Sequence, residues 1–113
     1  MPPDAQAREE YNAVMSKDEL RRRLQEAISK SPSRGKIRRV ALFGSQVRGE
    51  AKKNSDIDLL IEVDRPMGAL EFVSIELFLS KELGTRVDLV EPDALSRYFR
   101  DDVLQEAEVL YKA

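Results

Sequence analysis

The stretch LFGSQVRG at residues 42–49, followed by SDIDLLI at residues 55–61, decides the fold of this chain. An apolar run that ends in a Gly-Ser pair is typical of a strand that passes into a turn. In the second segment apolar residues alternate with Asp56 and Asp58, which is the two-residue period of a strand. Both carboxylates are therefore predicted to project from one face of that strand.

Working outward from this stretch, the hydrophobic periodicity and the turn residues predict alternating helices and strands. Ser16 and Glu19 form a capping box at the start of the first helix, and Gly84 is the expected end of a later one. The predicted order is a helix over 17–30, a strand over 38–43, a short helix over 45–51, a strand over 56–63, a helix over 69–83, a strand over 86–90, a helix over about 97–108 and an edge strand over 109–111. We therefore predict an α/β (α+β) fold, a small mixed sheet with helices packed on one face.

Length and composition limit what the chain can be. Its 113 residues, 42% hydrophobic and 35% charged, suit one globular domain, which we place at residues 16–113 after an N-terminal arm over 1–15. We see neither an apolar run of membrane-spanning length nor a signal-like start. The lack of cysteine fits a reducing cytoplasm, where we expect the protein to work.

The absence of both cysteine and histidine excludes several kinds of chemistry. Thiolate zinc sites, histidine bases and Ser-His-Asp triads cannot exist in this chain. Any metal must be held by oxygen ligands, which points to Mg²⁺, Mn²⁺ or Ca²⁺. A net charge of −2 and basic clusters without interleaved aromatic residues make direct nucleic-acid binding unfavoured.

Three carboxylates are the strongest chemical candidates. Asp56 and Asp58 share a strand face, and Asp88 lies in a second short apolar strand. If the two strands are neighbours, the three acids converge, and two carboxylates about 4 Å apart repel by roughly 4 kcal/mol at an effective dielectric of 20. Mg²⁺ would relieve that repulsion. Each acid also has an ordinary alternative, Asp56 as a turn residue and Asp88 as an edge-strand charge that prevents aggregation.

The Gly-Ser pair at the end of the preceding strand is a candidate phosphate site. Gly44 allows close backbone approach, and Ser45 at a helix start offers a hydroxyl and free N–H groups, with Arg48 one turn further on. The alternative is a plain strand–turn–helix junction. The segment is not a P-loop, because Glu50 stands where that motif requires lysine.

The combined pattern resembles the polymerase-β-type nucleotidyltransferase superfamily, and the full strings at 42–49 and 55–61 resemble its minimal nucleotidyltransferase (MNT) branch. The resemblance covers about residues 17–111. It implies that Gly44 and Ser45 hold the triphosphate of a nucleotide, ATP by expectation, and that Arg48 aids phosphate binding.

The same resemblance implies a metal centre and a reaction. Asp56 and Asp58 would ligate two Mg²⁺ ions, and Asp88 would complete the site and help to activate the attacking hydroxyl. The hydroxyl would attack the α-phosphorus, and pyrophosphate would leave.

MNT proteins resemble the antitoxin members of pairs in which AMP is transferred to a tyrosine of a helical HEPN toxin. This implies a protein partner here, and the broad apolar arc of the helix over 69–83 is compatible with a partner surface. The simpler interpretation is that one half of the arc packs on the sheet and the other under a neighbouring helix. A non-catalytic nucleotide-binding module that neutralises its partner by contact is the alternative function. The edge strand at 109–111 could also pair with a second copy of the chain.

Overall fold

The computed structural model describes residues 16–44 and 56–113, which form three helices and four strands. The predicted arm over 1–15 and the predicted short helix over 45–51 lie outside these residues. The elements are α1 (Lys17–Lys30), β1 (Ile37–Phe43), β2 (Ile57–Val63), α2 (Ala69–Leu83), β3 (Val87–Val90), α3 (Arg100–Glu106) and β4 (Glu108–Lys112).

The two long helices begin and end as their sequences predict. The Ser16 hydroxyl accepts a hydrogen bond from the Glu19 amide at 3.1 Å, which satisfies one of the free N–H groups at the start of α1. Gly84 ends α2 in the left-handed conformation, at a φ of 72°, which glycine adopts without steric cost. The predicted bounds of α1 and α2 are confirmed.

The sheet is mixed, with the strand order β3-β2-β1-β4. β1 runs antiparallel to both β2 and β4, whereas β2 and β3 are parallel. α2 supplies the crossover between the parallel pair. The predicted mixed sheet is confirmed, and the parallel pairing places β2 directly beside β3.

The core lies between one face of the sheet and the helices α1 and α2. Alternate strand residues point into it, and α1 contributes one stripe of its surface. The most deeply buried members are Leu20, Leu24, Ile28, Val40, Leu42, Leu59, Ile61, Ile75, Leu79, Leu83 and Leu110. Each buried leucine or isoleucine contributes roughly 2 kcal/mol, so this face of the sheet provides most of the stability.

The C-terminal region differs from the prediction. The helix predicted over about 97–108 spans only Arg100–Glu106, because Glu108 pairs with Leu42 and already belongs to β4. A short 3-10 turn at Pro92–Ala94 follows β3. The strands predicted from residues 38, 56 and 86 begin at Ile37, Ile57 and Val87.

The strand β4 lies at one edge of the sheet, as predicted. Its Val109 and Leu110 carbonyls accept hydrogen bonds from Arg21 (3.4 Å) and Gln25 (3.1 Å) of α1. These hydrogen bonds tie the edge strand to α1. Pairing of this edge with a second copy of the chain stays a prediction.

Within the part of the chain that the structure describes, each helix is too short or too polar to cross a bilayer.

Candidate active site

The turn that follows β1 brings the backbone against a carboxylate. Gly44 has a φ of 80°, and a Cβ atom at this position would lie 2.5 Å from Oδ2 of Asp58. Asp58 is held there because it pairs with Phe43 in the antiparallel register. Glycine is therefore required at this position on both conformational and steric grounds, whereas the close approach of Gly44 to a phosphate stays a prediction.

Asp58 and Asp88 occupy adjacent positions on neighbouring strands. They are direct partners in the parallel register of β2 and β3, where strands lie roughly 4.8 Å apart. Their flanking residues Ile57, Leu59 and Leu89 point into the core, so both carboxylates project from the opposite face of these strands, away from α1 and α2. The condition under which the acids were expected to converge, that the two acid-bearing strands are neighbours, is therefore met.

A cation lies between two of the three acids. The Nε atom of Arg86 is 3.8 Å from Oδ2 of Asp56 and 3.8 Å from Oδ1 of Asp88. The Arg86 side chain is 75% exposed, and the two aspartates are about half as exposed. The sequence reasoning missed this residue, although an arginine two positions before Asp88 on an alternating strand falls on the same face.

The donor set of this region suits a hard divalent cation. Carboxylate oxygens are the ligands that Mg²⁺ prefers, and the bare Gly44 backbone leaves the Oδ2 side of Asp58 free of a Cβ. Within residues 16–44 and 56–113, however, no three carboxylates are already gathered tightly enough to enclose an ion. The acids are neighbours whose charges attract a cation, and their metal-binding role stays a prediction.

Two side chains of α2 fix the strand that carries Asp88. The Val87 amide donates to Oγ of Ser80 at 2.9 Å, and the Leu89 amide donates to Oε2 of Glu76 at 2.8 Å. Asp88 thus lies between two anchored residues of an edge strand. The sequence analysis did not identify Glu76 and Ser80, but two polar residues four positions apart on an apolar helix share one face and are a usable signal.

The other predicted phosphate-binding residues, Ser45 and Arg48, fall outside the described residues. Their roles stay predictions. Only Gly44 of the proposed phosphate segment can be placed against the acids.

A groove of about 230 Å³ continues along the same face of the sheet. Its floor includes Leu60, which follows Asp58 on that face, and Leu104 of α3 forms part of its wall. The full lining is Arg39, Ala41, Leu60, Glu62, Pro92, Leu104 and Ala107. Among the described residues, this groove and the acids therefore share one face of the sheet.

Comparison with known proteins identifies the class of this arrangement. A model of the nucleotidyltransferase domain matches residues 18–110. The chain therefore belongs to the nucleotidyltransferase domain family and is a nucleotidyltransferase, as the motif resemblance implies.

Individual relatives narrow the comparison. The chain is 41% identical over 70 residues to the protein adenylyltransferase MntA of Thermococcus cleftensis, covering 62% of this chain and 71% of that protein. It is 38% identical to a minimal nucleotidyltransferase of known structure, with a TM-score of 0.69 over 82% of this chain and 94% of that one. A toxin–antitoxin structure with AMP-PNP shares the fold at 21% identity, with a TM-score of 0.65 over 82% of this chain and 73% of that one.

Proposed function

We propose that this protein is a Mg²⁺-dependent protein adenylyltransferase that moves AMP from ATP to a tyrosine hydroxyl of a partner HEPN toxin and so acts as its antitoxin. The observation that carries the proposal is the placement of Asp58 beside Asp88, against the side-chain-free turn at Gly44. Similarity to a protein adenylyltransferase supports ATP as the donor of the AMP group and a protein as its acceptor.

Each site residue has a defined task in this proposal. Asp56 and Asp58 hold the divalent ions, and Asp88 completes the carboxylate set. When bound, Mg²⁺ would neutralise charge on the reacting phosphate and on the leaving pyrophosphate. These three residues provide the negative charge that attracts the ions.

The transfer step is an in-line displacement at the α-phosphorus. A bond forms from the acceptor hydroxyl oxygen to phosphorus, and the bond to the bridging oxygen of the pyrophosphate breaks. The acceptor proton passes to the Asp88 carboxylate. Gly44, Ser45 and Arg48 would hold the triphosphate tail in line, a task that needs backbone N–H groups and one cation rather than a histidine.

The test is transfer of α-labelled ATP to the HEPN-type protein of the adjacent reading frame, followed by intact mass measurement. The proposal expects a gain of one or more AMP units on the partner, lost in Asp58→Asn. Transfer by Asp58→Asn at the parental rate would contradict the catalytic assignment. Transfer to RNA instead would contradict the acceptor.

Neutralisation by contact is a second candidate because α2 exposes an apolar stripe. Leu70, Val73 and Leu77 are 86%, 46% and 65% exposed, and their spacing places them on one side of the helix. The sequence analysis favoured burial of this half under a neighbouring helix, and that expectation is wrong. The other half, which includes Ile75 and Leu79, packs on the sheet as expected.

The two functions separate in a pair of variants. Leu77→Glu places a charge on the stripe, whereas the double variant Asp56→Asn, Asp58→Asn removes the acids. If transfer is the function, the double variant fails to protect cells from the toxin. If contact is sufficient, the double variant protects and Leu77→Glu fails.

A further inference from the structure

Arg86 lies between two of the carboxylates that the proposed function assigns to the metal. Its Nε atom is equally distant, at 3.8 Å, from a carboxylate oxygen of Asp56 and one of Asp88. Asp88 in turn is the register partner of Asp58. The guanidinium therefore supplies positive charge to a group of acids that repel one another.

The contacts of Arg86 are longer than the two shortest arginine–carboxylate pairs of the described residues. Arg65 approaches Oε1 of Glu91 to 2.6 Å, and Arg38 approaches Oδ1 of Asp64 to 2.8 Å. At 3.8 Å and 75% exposure, Arg86 makes no short hydrogen bond to either aspartate. An exposed pair of this kind is weak, so a doubly charged ion can displace it.

We propose that Arg86 is a built-in counter-cation that compensates Asp56 and Asp88 in the metal-free protein and leaves its place when a divalent ion binds. Arg86 thereby weakens the affinity of the acids for metal, so that an ion arriving without nucleotide is held poorly. This inference rests on the metal-binding role in the proposed function. It assigns Arg86 a positioning and charge-balancing role, not a catalytic one.

The charge of Arg86 also affects how the divalent ion and the nucleotide bind together. A nucleotide triphosphate brings its own negative oxygens, which add to the acids and offset the guanidinium. The metal is then favoured as a metal–nucleotide complex rather than as a free ion. The guanidinium, once displaced, can move only within the reach of its own side chain, because the strand that follows it is anchored at Val87 and Leu89.

The experiment is titration of the full chain with Mn²⁺ in the absence of nucleotide, followed by calorimetry. Arg86→Gln is expected to bind Mn²⁺ roughly three- to tenfold more tightly than the parent, because two weak competing pairs are gone. Arg86→Lys keeps the charge and should stay within about twofold of the parent. The difference between parent and Arg86→Gln should shrink at high salt, where exposed charges are screened.

Arg65→Gln is the matched control. It also removes one exposed arginine from an ion pair. Arg65 comes just after the end of β2, however, whereas Asp58 lies near the start of that strand. Its Mn²⁺ affinity should equal that of the parent. Thermal unfolding of each metal-free variant checks that the fold is retained.

The outcomes separate this inference from the proposed function. Equal or weaker Mn²⁺ binding by Arg86→Gln, with binding lost in Asp58→Asn, overturns the counter-cation role and leaves the metal site in place. If Arg86→Lys increases the Mn²⁺ affinity as much as Arg86→Gln does, the effect does not depend on the positive charge, and the counter-cation role is overturned. Failure of the parent and of Arg86→Gln alike to bind Mn²⁺ removes the metal role of the acids, and both proposals fall with it.

Discussion

The two ends of β1 hold carboxylates in opposite ways. At its start, Glu71 of α2 accepts a hydrogen bond from Nζ of Lys36 at 2.8 Å and another from Oγ of Ser33 at 2.8 Å. At its end, beyond Phe43, Asp56 and Asp88 share one guanidinium nitrogen at 3.8 Å from each. At the start of β1 the carboxylate charge is compensated by short hydrogen bonds. Beyond the end of β1 the described ion pairs of Asp56 and Asp88 with Arg86 are longer and weaker.

This difference separates a structural pair from the cluster that we propose to be functional. The Lys36 hydrogen bond, followed by that of Ser33, lowers the pKa of Glu71, which is the behaviour of a carboxylate whose charged form is satisfied. At the other end, the described contacts of Asp56 and Asp88 with the exposed Arg86 are 3.8 Å long, so these two carboxylates gain from a further cation.

The largest expected effect is the difference in transfer rate between two variants that each remove one acid, one at each end of β1. Asp88→Asn should lower AMP transfer roughly 100-fold or more, since loss of one electrostatic partner of a transition state commonly costs about 10²–10³ in rate. Glu71→Gln should transfer within about twofold of the parent, because it lies at the other end of the strand. Steady-state transfer to the partner protein measures both.

Comparable losses of AMP transfer in Asp88→Asn and Glu71→Gln would contradict the proposed difference between the two ends of β1. The loss would then reflect general destabilisation rather than site chemistry. Thermal unfolding of both variants distinguishes these cases.

The next effect comes from the turn that abuts Asp58. Gly44→Ala forces a side chain into the left-handed region, at about 1–2 kcal/mol, and its Cβ would meet Oδ2 of Asp58 at 2.5 Å. Either the turn or the carboxylate must shift, so we expect a lower melting temperature and a loss of transfer. Gly35→Ala is the matched control, because nothing lies within 4 Å of its added Cβ. Equal behaviour of the two variants in both measurements would contradict the tight contact at Asp58.

Much of this arrangement is predictable from the sequence, because short-range signals encode it. The capping box at Ser16 and the stop at Gly84 define α1 and α2, and the alternation around Asp58 defines β2. The adjacency of Asp58 and Asp88 was conditional on strand order, which the parallel pairing of β2 and β3 settles. Periodicity predicts helices and strands, whereas the resemblance of residues 42–61 to a family motif also predicts the class of protein.

The rest depends on contacts between residues far apart in the chain. α3 ends early because residue 108 pairs with Leu42, a competition that local helix propensity does not register. Exposure of Leu77 depends on whether another helix covers α2, which periodicity leaves open. The placement of Arg86 between two acids and the anchoring of β3 by Glu76 are likewise tertiary facts.

The smallest effect is the pH dependence of the closed pair at the start of β1. Because the folded pKa of Glu71 is lowered, its stabilising contribution is present above the ordinary glutamate pKa of about 4.3 and is lost as pH falls through the folded value. Glu71→Gln should therefore melt slightly below the parent at pH 7, and the two melting curves should converge under acid conditions. Lys36→Met, which removes the other partner, should show the same convergence. A gap between parent and Glu71→Gln that persists unchanged into acid would mean that side-chain packing, and not the charged hydrogen bonds of Lys36 and Ser33, holds this end of the strand.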